Sequence, residues 1–254
     1  SAGTEVLRML GAGATAVSTI ETVLGSSGSD SVTMLAGGSM TVSVVDTLTG
    51  SDGTDVVTVL GGGSMRVSGV ETLLGSTASD TVTLVDAATL AVSAIDTITG
   101  SADTDVVSML GAGTVNVSRM ETVLGSSGTD VANLLGASDV AISNVETLRG
   151  STGTDSVTML SGGTLAASTV ESVTGTTGTD VLRMLGGGST SVTAVETVLG
   201  STATDSVTML AGSTLGLSSV ETVVGSGETD VLQLIGASTT RVSAVETVLG
   251  STAT

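Results

Sequence analysis

A glycine followed five residues later by an acid recurs every 25 residues, and this fixed period constrains the chain more than any other feature. The stretch 25–33 reads Gly-Ser-Ser-Gly-Ser-Asp-Ser-Val-Thr, and 50–58 reads Gly-Ser-Asp-Gly-Thr-Asp-Val-Val-Thr. Between copies lies a second phrase, as in Val145-Glu146-Thr147-Leu148. Residues 1–250 hold ten tandem units, and residues 251–254 begin an eleventh. Length alone would suggest one or two ordinary domains. Repetition at 20 to 50 residues instead implies a solenoid, a propeller or an array.

Within each unit the residues fall into columns. The closing glycine is present in all ten units, from Gly25 to Gly250. Such a column marks a backbone position with positive φ or with close approach of a neighbouring chain. The acid is Glu5 in the first unit and Asp in the other nine, from Asp30 to Asp230. Val32 and Met34 then alternate with Thr33, which predicts a strand with one buried face. Leu35 follows in an apolar column and is expected to turn inward at a corner. Gly37-Gly38 mark a turn, and Met40-Thr41-Val42 form a second strand. Val45-Asp46-Thr47-Leu48 form a third, whose apolar pair is three apart, so a bend or bulge is expected there.

These columns predict an all-β, parallel β-solenoid without helices: ten coils of 25 residues, with about three short strands per coil. A single unit cannot bury its own apolar side, so units must stack. Stacking coil on coil would place valine on valine and aspartate on aspartate, about 4.8 Å apart. The columns of Val32, Met34, Val42, Val45 and Leu48 should be buried. Those of Thr41 and Val44, which admit Arg66, Arg119 and Arg241, should be exposed. A propeller blade needs around 40 residues, and the leucine and asparagine spacing of a leucine-rich repeat is missing. Neither end carries a polar cap, which points to a window of a longer array or to subunits stacked end to end.

Composition narrows the function. Hydrophobic residues make up 40% of the chain and none is aromatic, so the core is aliphatic. Proline, cysteine, histidine, lysine and tyrosine are absent, and 25 acids face six arginines for a net charge of −19. Nucleic acid and anionic membrane would be repelled. No apolar run is long enough to span a membrane. Identical acid pairs in every unit, with no histidine, cysteine or lysine, argue against an enzyme.

The segment from Gly25 to Thr33 resembles the nonapeptide of the RTX (repeats-in-toxin) family, Gly-Gly-x-Gly-x-Asp-x-apolar-x, a calcium-binding turn. The linking phrase Val-Glu-Thr-Val-Leu-Gly is similar to segments of large secreted RTX-like bacterial adhesins. Gly25, Gly28, Asp30 and Val32 fall on motif positions one, four, six and eight. Position two is never glycine, and position four is lost at Ala78, Asp103, Ala203 and Glu228. One nonapeptide per 25 residues also departs from the family's tandem runs. The resemblance implies calcium at Asp30, Asp55, Asp130, Asp155 and Asp180, with Gly28, Gly53, Gly128, Gly153 and Gly178 in the turn. A column of stacked aspartates would also repel itself, and divalent cations would relieve it. The competing reading is an Asx-turn, in which each carboxylate accepts backbone N–H groups.

The resulting expectation is a structural protein: a stiff, secreted, cell-surface or extracellular rod serving as fibre, adhesin stalk, biofilm-matrix or surface-layer component of a bacterium. Its partners would be copies of itself, end to end or laterally, or further repeats of the same chain. The alternative is a ligand-binding module, either calcium-dependent or ice-binding through threonine ladders such as Thr22, Thr47 and Thr72.

Overall fold

The computed structural model describes residues 3–236 and 239–251, so of the incipient eleventh unit residues 252–254 lie outside the described residues. The chain forms two compact units, Ser1–Gly128 and Thr129–Thr254. Among the described residues every element is a β-strand. Each repeat supplies three. Val6–Arg8, Gly13–Val17 and Thr22–Leu24 are β1, β2 and β3, and Asp30–Met34, Gly38–Ser43 and Thr47–Thr49 are β4, β5 and β6. Asp55–Val59, Gly63–Ser68 and Thr72–Leu74 are β7, β8 and β9, and the series continues in the same way.

In the first unit the odd-numbered strands form one parallel sheet and the even-numbered strands a second. The second unit repeats this arrangement from the strand Asp130–Leu134 onward. The fold is therefore a parallel β-solenoid with two sheets, and one turn of chain uses two strands. The expected 25-residue coil of three strands is corrected by the register. Val6 pairs with Thr22 (22 − 6 = 16), Thr22 with Thr41 (41 − 22 = 19), and Gly38 with Asp55 (55 − 38 = 17). A turn thus takes 16, 17 or 19 residues, and a repeat of three strands makes one and a half turns. The physical reason is economy of width: the aliphatic core fills a slab between two facing sheets, and no third wall is needed.

An odd number of strands per repeat sends successive repeats to opposite sheets. Asp30 opens a strand of the even sheet, and Asp55 opens a strand of the odd sheet. Like therefore does not stack on like. Met40 lies against Val57, Val57 against Leu73, and Leu73 against Val92. The other sheet repeats the pattern, with Val32 on Leu48 and Leu48 on Val67. Val32, Leu48, Val57 and Leu73 have no exposed surface. Burying each such side chain contributes roughly 1.5–3 kcal/mol.

Val32, Met34, Val42, Val45 and Leu48 are all buried, and Arg66, Arg119 and Val44 are exposed, as the columns predict. Thr41 is only half-buried, because it is flanked in its sheet by Thr22 and Thr58. Leu35 does not turn inward; it is 63% exposed. Its N–H still joins the ladder, donating to the Val17 carbonyl at 2.8 Å. The alternation that buries Val32 and Met34 is thereby extended one step, and the next side chain points out.

The bend expected between Val45 and Leu48 comes earlier: the third strand spans only Thr47–Thr49, and the corner before it is made by a left-handed residue one position ahead of Val45. Thr19, Val44, Ala94, Arg119 and their equivalents all have φ between 51° and 58°, and Gly69 has 62°. This corner explains the glycine column. A Cβ on Gly25 would lie 1.8 Å from the Val44 carbonyl oxygen, and one on Gly50 would lie 1.7 Å from that of Gly69. Close approach, not positive φ, is therefore what fixes the column.

Candidate functional site: the buried aspartate turns

Each turn that follows a short strand ends in the column aspartate. In residues 50–55, Asp55 has no exposed surface. Its Oδ2 accepts the Ser51 N–H at 2.6 Å and the Ser51 hydroxyl at 3.0 Å. The same hydroxyl accepts the Gly53 N–H at 3.1 Å. The Asp55 N–H donates to Glu71 Oε2 at 2.7 Å, 16 residues further on and one turn along the stack. At Asp155 the partners are Ser151 and Glu171, with the Gly153 N–H donating to the Ser151 hydroxyl; at Asp180 they are Thr176 and Glu196, with the Gly178 N–H donating to the Thr176 hydroxyl. Asp30 accepts from the Ser26 N–H and donates its own N–H to Asp46. Asp130 donates to Glu146 at 2.7 Å, and Gly128 donates to Ser126 at 3.0 Å. Gly28 donates in the same way to Ser26.

The second acid column thus has a structural task. Its carboxylate takes the N–H of the aspartate one turn below. In several repeats the clasp is reciprocal: the Asp46 and Glu171 N–H groups donate to the carbonyls of Asp30 and Asp155. The shorter Asp side chain serves at positions 46 and 96, where one carboxylate oxygen accepts the N–H of Asp30 or Asp80 at 2.8 Å. In the first repeat Glu5 replaces the aspartate and donates its N–H to Glu21. The Glu21 side chain pushes the Glu5 carboxyl pKa up, while the Glu5 N–H draws that of Glu21 down. At Asp30, the N–H of Ser26 holds the carboxyl below the usual carboxylate range.

Sequence reasoning missed the residue that makes this turn. The hydroxyl at motif position two, a departure from the RTX pattern, occupies the carboxylate and caps the loop. The signal was visible, because that position is Ser or Thr in every unit, from Ser26 to Ser226 with Thr176 among them.

The five candidate aspartates are not brought together. Aspartates of one sheet recur every 50 residues, or three turns, which is about 14 Å at ordinary strand spacing. Two charges at that distance repel by about 0.3 kcal/mol in water, against about 1 kcal/mol at 4 Å. The stacked-acid repulsion expected from a 25-residue coil is therefore absent. No group of three or more acids converges among the described residues. The other oxygen, Oδ1, accepts a backbone N–H from the preceding turn at Asp105 and Asp155, at 2.8 and 2.9 Å. At Asp55 and Asp205 this oxygen is buried with no hydrogen-bond partner.

Outward hydroxyls form short blocks. Thr81 and Thr83 stack on Thr97 and Thr99, and Ser31 and Thr33 stack on Thr47 and Thr49. Arg66 interrupts the ranks between Thr47 and Thr83. A second recurring feature lies at the corners. A recess of 180 Å³ opens between Val44-Val45 and the Gly61–Gly63 run of the next turn. Equivalent recesses of 290, 210, 100 and 140 Å³ sit beside Ile20, Ile95, Val145 and Val170.

No known family, characterised protein or solved structure matches the chain at a significant level. The fold and its corners define a class by themselves: a tandem-repeat parallel β-solenoid with recurrent Asp-Gly-type turns, in keeping with RTX-like repeats.

Proposed function

We propose that this chain is a structural section of an RTX-like extracellular protein, a stiff spacer in a bacterial fibre, adhesin stalk or surface matrix. One observation carries the reading: the repeated polar groups are spent on closing the backbone. Column aspartates, their hydroxyl partners and the Glu or Asp one turn away hold N–H groups of the same chain, so the repeats build a scaffold. We assign no catalytic role. The reading is tested by deleting two repeats, residues 51–100, and measuring the molecule by small-angle scattering. Two repeats make three turns, so the first unit should shorten by about 14 Å. A chain whose dimensions do not change, or which loses its β signal, would sink the spacer reading.

Among the described residues a calcium-dependent reading is favoured at two corners, by the unpartnered Oδ1 atoms of Asp55 and Asp205. Thermal unfolding in calcium and in chelator, at matched ionic strength, tests it. A calcium-specific rise that disappears in the combined Asp55→Asn and Asp205→Asn variant supports cation binding by mass action. Equal midpoints leave the acids as turn locks, screened alike by any salt.

A further inference from the structure

The recess beside Val45, which lies wholly within the first unit, departs from the repeat in two ways. Its wall includes Val59, which stands where Met34, Leu84, Met109 and Met159 stand in other repeats. Those four side chains are buried, whereas the shorter Val59 is half-buried. Past Val59 the recess runs on to Asp80, Val82 and Ile95 of the following turns. The recesses beside Ile20, Ile95, Val145 and Val170 reach no aspartate of the buried column. The second departure is Asp80 itself, which is 3% exposed. Its Oδ2 accepts the Ser76 N–H at 2.6 Å and the Ser76 hydroxyl at 3.0 Å, while its Oδ1 accepts no hydrogen bond. At Asp105 and Asp155 the equivalent oxygen takes an N–H from the preceding turn. Here the corresponding N–H, that of Gly63, goes instead to the Ser79 carbonyl at 2.9 Å. The same oxygen is sealed away at Asp55 and Asp205 but not at Asp80, where the recess gives it an opening.

We infer that this recess binds a small primary aliphatic amine in its ammonium form, head on Asp80 Oδ1 and alkyl stem against Val45, Val59, Val82 and Ile95. A nearly buried carboxylate oxygen without a partner favours a cation that donates hydrogen bonds. The chain has no lysine to supply one. A calcium ion takes about six to eight oxygens, and no group of three or more acids converges among the described residues. A guanidinium prefers both oxygens of a carboxylate, and Ser76 already holds one of them. An ammonium is a compact charge on a flexible stem, and a single oxygen serves it. An apolar cavity of about 150 Å³ holds a benzene-sized molecule, so the 180 Å³ here suits an amine of about four to six carbons. The exposed Asp46 at the same recess and the net charge of −19 draw cations toward it. The site goes beyond the spacer role and does not depend on it.

The test is a methyl-detected NMR titration of the full chain at neutral pH and matched ionic strength, with n-butylamine, n-butanol and calcium chloride as separate probes. Butylammonium should shift the Met65 and Ile95 methyl signals saturably. The isosteric alcohol, which brings no charge to Asp80, should bind about tenfold more weakly or worse, and calcium should leave those signals in place. Asp80→Asn should reduce amine affinity to that of the alcohol. Val59→Met restores the residue of the other repeats, so the variant should fold like the natural chain while its longer side chain fills the recess and abolishes binding. Absence of a saturable amine shift overturns the inference, as does an alcohol that binds as tightly as the amine. Calcium that moves the same signals and displaces the amine would make this a metal site instead. Unchanged amine binding in Val59→Met would place the amine elsewhere, and this variant decides the matter even if Asp80→Asn fails to fold.

Discussion

At the corner before each short strand, the repeat tolerates almost any residue in a left-handed conformation that only glycine adopts freely. Val44 and Ala94 hold φ of 55° and 54° there, at a cost of roughly 1–2 kcal/mol each. Ala94→Gly should therefore raise stability by about 1 kcal/mol in chemical denaturation, as Gly69 already exemplifies in its own repeat. The reverse holds one turn below. Gly50→Ala would drive a methyl group to 1.7 Å from the Gly69 carbonyl oxygen, and the resulting backbone shift should lower stability by about 3 kcal/mol or more. A third expectation concerns Thr190, which sits in a core column with its hydroxyl buried and unpartnered. Thr190→Val should stabilise the chain by roughly 1–3 kcal/mol, read as a higher midpoint in urea. The sequence showed that Gly50 was indispensable and Val44 free to vary. It could not show that one carbonyl links them, because the contact spans a turn whose length was not written in the repeat.

At the scale of strands and turns, periodicity revealed the strands but not how many make a turn. The columns of Val32, Met34, Val42 and Leu48 identified buried faces whatever the winding, since alternation is local. The winding depends on whether three strands per repeat enclose a three-walled or a two-walled core, and both satisfy the same pattern of apolar columns. Leu35 was misplaced for a related reason: its apolar character suggested burial, whereas the strand phase set by Val32 and Met34 carries it outward. The two-walled winding makes a distinctive prediction. Deleting one whole repeat, residues 51–75, removes one and a half turns yet preserves every junction, so the melting midpoint should fall by only a few degrees. Deleting residues 55–71, a 17-residue stretch matching the Gly38-to-Asp55 step, removes about one turn but takes away Asp55, the partner of the loop at Ser51. Groups left buried without partners cost about 1–3 kcal/mol each, so this shorter deletion should be the more damaging.

For the molecule as a whole, acid should be the sensitive variable. The carboxyl of Asp30 is held below its ordinary value by the Ser26 N–H. A depressed folded-state pKa contributes stability that is fully present above the unfolded value, about 3.9, and is lost as pH falls through the lower folded value. Stability contributed by this turn should be flat near neutrality and decline below about pH 4. Asp30→Asn should reduce stability at pH 7 and flatten that decline, which unfolding measured at pH 7 and pH 3 would reveal. The odd strand count has a further consequence, for inheritance. Gain or loss of a single repeat by unequal recombination leaves every local contact intact but transfers all downstream repeats to the opposite sheet. A lineage that needs only a scaffold can therefore vary its repeat number freely, one at a time. A lineage that had come to recognise a ligand along one face would see that face cut in two by the same event, and could change length only in pairs.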